Sequence, residues 1–348
     1  MPVKWGVIGA GGIADRRTIP EGIVLCEDAQ LVALQDINHT VLSRVQEKYK
    51  VGTAYPRWEA LLGDEKVQAV YIATPTTFHY EQVMAAAKAG KHILCEKPLA
   101  LTLEPCQEMV DACAKAGVLL GVNFMTRFHP CHQLLKQMIE AGDLGKLVFG
   151  RAELTCWYPP IPKAFRQDPT LGGGGSFIDM GNHCVDLLEQ FFGRVVEVNC
   201  FTGNLVQEYK SEDTAVAMLK FGSGAIGVVD ALFNVPDAAA RNQLEVYGSK
   251  GSVCSFGTIG QGSAGKLIAV LQQGDKAYDP GQARGVEAHE AFIEPPEVNV
   301  YRSHIQAFCD AITNGTPPPI PGEEGVWSHK VIAACYKSVA THTAVMVE

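Results

Sequence analysis

The segment Val7-Ile8-Gly9-Ala10-Gly11-Gly12-Ile13-Ala14 runs from an apolar strand through G-x-G-x-x-A into a helical pattern. No other feature constrains the fold as much, because such a loop works where the first strand of a parallel sheet hands over to a helix. Gly9 permits the tight turn, and Gly11 lets the backbone approach a pyrophosphate. Ala14 allows the helix to pack close on the sheet with its N-terminus facing the anion. A second strand-like run, Leu31 to Gln35, ends in Asp36. A carboxylate there accepts hydrogen bonds from both adenosine-ribose hydroxyls and repels a 2′-phosphate, favouring NAD over NADP. Capping of a turn is its plainer alternative. Gly9, Gly11, Gly12, Ile13 and Asp36 are the expected contacts to NAD, while Arg16 and Arg17 read as a solvated helix face.

Up to about Asn123, apolar runs alternate with helical patterns: Trp5 to Ile8, Leu31 to Leu34, Ala69 to Ala73, Ile93 to Cys95 and Leu119 to Val122. Strands alternating with helices imply a parallel sheet covered on both faces. After Arg127 a helix near Cys131 to Ala141 precedes a succession of strand-like segments joined by Gly-rich turns such as Phe221-Gly222-Ser223-Gly224. Those segments, including Leu147 to Cys156, Thr214 to Phe221 and Ala225 to Phe233, indicate a largely antiparallel sheet. With 348 residues the chain exceeds one compact core. The expected architecture is α/β: a Rossmann dinucleotide-binding domain over 1–123 and an α+β domain with a large open sheet over 124–348, for substrate binding and oligomerisation.

Apolar residues make up 47% and charged residues 19%, a globular composition. A formal charge of -9 gives no general attraction to nucleic acid or to an anionic membrane. No apolar stretch is long enough to span a bilayer, and the chain enters its first strand at once, so no signal peptide is expected. Eleven cysteines, an odd number scattered through apolar patterns, read as reduced core residues of a cytoplasmic protein. Val216, Met218, Ile226, Val228 and Val229 put apolar residues on both faces of their strands. A homodimer or homotetramer burying that sheet is therefore expected.

The strand-like run His92-Ile93-Leu94-Cys95 delivers Glu96-Lys97-Pro98 at its carboxyl end, where open α/β sheets bind ligands. An isolated lysine there would be a solvated loop cation; its position and company argue for a reaction centre. Thr74 and Pro75 end another strand and supply backbone to the nicotinamide side, with His79 opening the helix that follows. Later, Gly172 to Gly175 lead into Asp179 and His183, four apart and on one face of an expected helix. The pair reads as a proton-transfer couple, as a structural i,i+4 hydrogen bond, or as half of a metal site. The metal reading lacks ligands, since the His129-Pro130-Cys131-His132 spacing fits no common zinc box, and no metal is expected. Trp157 to Pro162, with Tyr158 and then Phe165-Arg166, reads either as an aromatic surface for a sugar ring or as a Pro-rich connection. Tyr301 and His304 are secondary candidates for the same cleft.

Taken together, Gly9-x-Gly11-x-x-Ala14, Thr74-Pro75 with His79, Gly90-Lys91-His92 leading to Glu96-Lys97-Pro98, Arg127-Phe128 and Asp179-x-Gly181-x-His183 resemble the glucose-fructose oxidoreductase, inositol dehydrogenase and rhizopine catabolism family (Gfo/Idh/MocA) over nearly the whole length. The resemblance implies a Rossmann domain followed by an open-sheet domain whose sheet forms subunit contacts. It further implies NAD-dependent oxidation of a secondary ring hydroxyl of a sugar, cyclitol or glycoside. By the same resemblance Lys97 would polarise the reacting oxygen, His183 would take its proton, and Asp179 would orient substrate and imidazole. Glu96 would lie near the nicotinamide ribose, and Arg127, Tyr158 and Arg166 would line the substrate side. Similar proteins that cleave glycosides by transient oxidation, or that sense a ligand without chemistry, are the alternatives.

Overall fold

The computed structural model describes residues 1–272, 290–293 and 296–348. Its first half is a six-stranded sheet in the order β3-β2-β1-β4-β5-β6. The strands are β1 (Val3–Ile8), β2 (Ala29–Gln35), β3 (Thr53–Tyr55), β4 (Ala69–Ile72), β5 (His92–Cys95) and β6 (Leu120–Val122), all paired in parallel. The buried runs Ala69–Ile72 of β4 and Ile93 to Cys95 of β5 are what a sheet covered on both faces requires. The order reverses beside β1, so β1, β2, β4 and β5 all end at the crevice where a ligand is received. The helix after the glycine loop, Ala14–Ile23, is wound more widely than an α-helix and contains Pro20. Pro20 has no N–H to give an α-helical ladder, and Val24 N–H closes the turn on Ile19 O at 2.9 Å.

The second sheet has nine strands in the order β14-β13-β12-β11-β7-β10-β9-β8-β15. They are β7 (Leu147–Thr155), β8 (Val195–Gly203), β9 (Thr214–Phe221), β10 (Ile226–Leu232), β11 (Leu244–Gly248), β12 (Gly251–Phe256), β13 (Lys266–Leu271), β14 (Glu290–Ile293) and β15 (Val345–Met346). Every pairing is antiparallel except β7 with β10, which is parallel. One face packs on the helices Asn182–Phe192 and Gly322–Thr341, with Phe192 stacked on Phe221 at 5.0 Å. The outward positions of β9 alternate with its buried ones, leaving Val216 and Met218 exposed, with Ile226 and Phe201 beside them on β10 and β8.

The two halves interlock. Helix Val300–Asn314 follows the second sheet in the chain but packs on the first, where Ile305, Phe308 and Cys309 join the core of Trp5, Ile19 and Ile23. Phe308 lies 5.6 Å from Trp5, ring to ring. A Cβ on Gly22 would stand 3.0 Å from Ile305, so that glycine permits the close approach. Among the described residues no helix is long and apolar enough to cross a membrane. All eleven cysteines are free.

Candidate active site

A cavity of about 910 Å³ opens between the two sheets at the carboxyl ends of the parallel strands. One end is built from backbone. Gly9 N–H and Ala10 N–H donate to Gln35 O at 3.0 and 2.8 Å, tying the glycine loop to the end of β2. Gly9 has φ +82°, and a Cβ there would come within 2.9 Å of the Ala73 backbone, so both conformation and space demand glycine. Gly12, at φ +53°, faces open space. Asp36 Oδ2 accepts from Gly11 N–H at 3.0 Å and Oδ1 from Asn38 N–H at 2.9 Å. The turn-capping alternative therefore describes real contacts, yet a carboxylate has about four acceptor sites and two remain for a ribose diol. Gly11, Gly12, Ile13 and Asp36 all line the cavity, a cradle that fits a dinucleotide.

Thr74, Pro75, His79, Glu96 and Lys97 line its middle. His79 Nδ1 lies 3.0 Å from Pro98 O and Nε2 2.9 Å from Thr74 O, so the ring clamps the Thr74-Pro75 loop to the Lys97-Pro98 turn. Burial pushes this imidazole down, and in its neutral form only one of the two carbonyl contacts carries a proton. With both nitrogens against backbone, His79 is a brace of the cavity wall. Glu96 Oε1 accepts from Asn123 Nδ2 at 2.7 Å and from the Tyr71 hydroxyl. The Glu96 side chain thus leaves β5 in one held orientation.

The far end is built from side chains. Lys97 Nζ donates to Asp179 O and Oδ1, each at 2.7 Å, and Arg166 Nε stands 2.9 Å from the same Oδ1. Burial alone would raise the Asp179 carboxyl, but the charges of Arg166 and Lys97 outweigh it and hold the group well below the usual carboxylate range. His183 lies one turn on. Burial, reinforced by the Lys97 charge, pushes its imidazole down to about 3, so the ring is neutral near pH 7. Its Nδ1 is buried without a hydrogen-bond partner, and Phe124 meets the ring edge-on at 6.1 Å.

Several expected residues take other places. No hydrogen bond joins Asp179 to His183. The segment Phe177–Gly181 is wound wider than an α-helix, which carries the two side chains off a common i,i+4 stripe. Arg127 does not line the cavity: its Nε and Nη2 grip Asp186 at 2.7–3.0 Å, and Nη2 reaches Glu324 at 2.7 Å. The glycine run approaches the protein's own chain, since a Cβ on Gly174 would meet Tyr336 Oη at 2.1 Å and one on Gly175 would meet Glu212 O at 2.1 Å. Glu212, which the sequence did not single out, accepts from Gly175 and Phe177 N–H at 2.9 and 3.1 Å and anchors the entry to the Asp179 segment. His129 caps the next helix and His132 binds Thr126 O and Thr258 Oγ1, so both are structural. No metal-holding group of three His, Cys, Asp or Glu exists among the described residues.

Tyr158 and Arg166 do line the cavity, and Phe165 packs beneath the Arg166 guanidinium at 4.5 Å. Thr155, Asp237, Asn242 and Gln261 add polar groups to that wall, and Leu154 and Phe233 add apolar ones. Asn242 carries the one local signal, a φ of +46° with its Oδ1 accepting from Thr155 N–H at 2.8 Å.

Two family models match the chain: "Oxidoreductase family, NAD-binding Rossmann fold" over residues 3–124 and "GFO/IDH/MocA C-terminal domain" over residues 132–254. Myo-inositol 2-dehydrogenase of Thermotoga maritima is 31% identical across 99% of this chain and 99% of its own length. The 1,5-anhydro-D-fructose reductase of Ensifer adhaerens is 30% identical, covering 99% and 98% respectively. The crystal structure of aldose-aldose oxidoreductase from Caulobacter crescentus, complexed with glycerol, superposes with a TM-score of 0.88 at 25% identity, covering 99% of this chain and 100% of that one.

Proposed function

Because this chain belongs to the GFO/IDH/MocA oxidoreductase family, we propose that it is an NAD-dependent dehydrogenase oxidising a secondary ring hydroxyl of a sugar, cyclitol or glycoside to the ketone. The observation that carries this reading is one cavity with a dinucleotide cradle at Gly9 to Asp36 and the Lys97, Arg166, Asp179 and His183 cluster at its other end. Bound NAD supplies the hydride acceptor. Everything else falls to this chain's own side chains.

An ammonium has three N–H donors, and Lys97 spends two on Asp179. The third holds the substrate oxygen and stabilises the charge that builds there as hydride leaves carbon. His183 lines the cavity with Nδ1 buried, and its neutral ring takes the hydroxyl proton at the other nitrogen, Nε2. Its imidazolium is costly beside Lys97, and Asp179 is the nearby group whose field favours it. Asp179 thus acts on His183 through charge, and a carboxylate has acceptor capacity beyond its Oδ1 contacts to Lys97 and Arg166 for a neighbouring substrate hydroxyl. Apolar Leu154, Phe165 and Phe233 beside polar Thr155, Asn242 and Gln261 suit the faces and hydroxyl rim of a saturated ring.

The testing experiment is a panel of sugars, inositols and glycosides with NAD, read as NADH absorbance. Net NADH with a cyclic polyol is expected. Glycoside cleavage without net NADH would replace this reading by the transient-oxidation one, and NAD binding with no turnover of any compound would favour a sensor. The exposed apolar face of the second sheet, with Val216 37%, Met218 50%, Ile226 54% and Phe201 69% accessible, supports a homodimer or homotetramer. Light scattering at micromolar concentration is expected to give a dimer or larger; a monomer contradicts it.

A further inference from the structure

Behind the cavity wall runs a hydrogen-bond chain that the mechanism above does not use. Thr18 Oγ1 donates to Tyr71 Oη at 2.9 Å, and Tyr71 donates to Glu96 Oε1. On the other side Asn123 Nδ2 donates to that same oxygen at 2.7 Å, and Asn123 Oδ1 lies 2.9 Å from His304 Nδ1. Thr18, Tyr71, Asn123 and His304 are all buried, at 3% accessibility or less. His304 comes from the helix Val300–Asn314, the one that returns from the second sheet to pack on the first.

The chemistry assigns every proton in this chain. A carboxylate only accepts, so Asn123 must turn its amide nitrogen to Glu96 and its oxygen to His304. His304 must therefore donate from Nδ1, and the bare lone pair falls on Nε2. That atom is buried with no hydrogen-bond partner, while Phe128 stacks on the ring at 4.7 Å and 22°. His132, by contrast, has partners at both nitrogens, Thr126 O and Thr258 Oγ1.

The end of this chain is where a dinucleotide's second ribose belongs. Asp36 marks the adenosine ribose, Gly11 and Gly12 the pyrophosphate, and Lys97 the reacting carbon, and Glu96, next to Lys97 in the chain, lines the same cavity. Its Oε1 takes two donors, while Oε2 takes only the long 3.3 Å contact from Lys97 N–H and keeps acceptor capacity for a ribose hydroxyl. We propose that His304 is a positioning residue for the cofactor, holding Asn123 and through it the Glu96 carboxylate at the nicotinamide ribose. This rests on the dehydrogenase reading above.

Asn places its amide nitrogen close to where His carries Nδ1, whereas Leu has no donor at all, so the two variants separate the hydrogen bond from the packing. His304→Leu is expected to raise KM for NAD roughly tenfold with a smaller change in kcat, and His304→Asn to stay within about twofold of wild type. A Leu variant with wild-type KM, or equal losses in Asn and Leu variants, overturns the positioning role. Independently of variant folding and of the dehydrogenase reading, 15N NMR of the cofactor-free wild-type protein reads the tautomer of His304. The Nδ1–H form supports the relay, and the Nε2–H form removes it. Wild-type protein that binds no NAD would defeat the dehydrogenase reading and the positioning role together, even with the tautomer as expected.

Discussion

At the cofactor end of the cavity the contacts come mostly from backbone, and its partners lie close in the chain: Gly11 and the Asp36 that braces it are 25 positions apart. At the reaction end the contacts are side chains from both halves, with Lys97 reaching Asp179 across 82 positions. The first arrangement is set by local turn geometry and tolerates the loss of any one side chain other than Asp36. The second exists only when two sheets and three segments are in register, and each charge there holds another in place. Cofactor binding and chemistry should therefore separate under mutation, and three measurements bear on how cleanly.

The largest effect is expected at a residue outside both ends. Arg127 pairs with Asp186, 1% accessible at its side chain, and with Glu324. Burial raises the Asp186 carboxyl despite that partner, so Arg127→Leu would leave an uncompensated buried acid. It should cost about 3–5 kcal/mol of stability in denaturant unfolding, with substrate KM unchanged in the folded fraction. A stable variant with raised substrate KM would return Arg127 to the reaction end.

Acid comes next. Burial pushes His132, His183 and His304 each down to about 3 in the folded protein. In the unfolded chain they titrate near 6.5, so below that pH the unfolded state gains protons that the native state refuses. Stability is full above about 6.5 and is lost as pH falls towards 3, by about 2 kcal/mol per histidine between pH 7 and 5. Calorimetry at pH 7, 6 and 5 should show a falling Tm that His132→Gln makes less steep. A Tm constant over that range contradicts the buried neutral rings.

The smallest effect sharpens the cofactor end. Wild-type protein is expected to bind NAD at least about tenfold better than NADP, roughly 1.4 kcal/mol, and Asp36→Ser to narrow the gap. Equal binding of the two by wild type in a fluorescence titration would deny Asp36 its role.

The same contrast explains what could be read in advance. The parallel sheet, the glycine loop and Asp36 announce themselves because turn chemistry and strand alternation are local. Lys97, Asp179 and His183 were legible as residue types at strand and helix ends, but their mutual geometry was not. The wide winding at Phe177–Gly181 breaks the i,i+4 relation that spacing implied, and Arg166 joins Asp179 only through the folded loop. Arg127 misled because a lone arginine after a strand carries no mark of its buried partners Asp186 and Glu324. Glu212 and Asn123 were invisible, since each matters only through long-range hydrogen bonds. Helix Val300–Asn314 was assigned to the second domain by chain order, whereas its apolar face belongs to the core around Trp5.

The separation of binding from chemistry is tested most directly at His183, which has no hydrogen bond at Nδ1 to lose and so has little structural role beyond packing near Phe124. NAD affinity and turnover of an identified substrate are measured on one folded His183→Ala preparation. The account predicts NAD affinity close to wild type with turnover lower by about 10² or more, the usual scale for a positioned acid-base group. A stable variant that turns over normally, or one whose NAD affinity falls as far as its turnover, would contradict it.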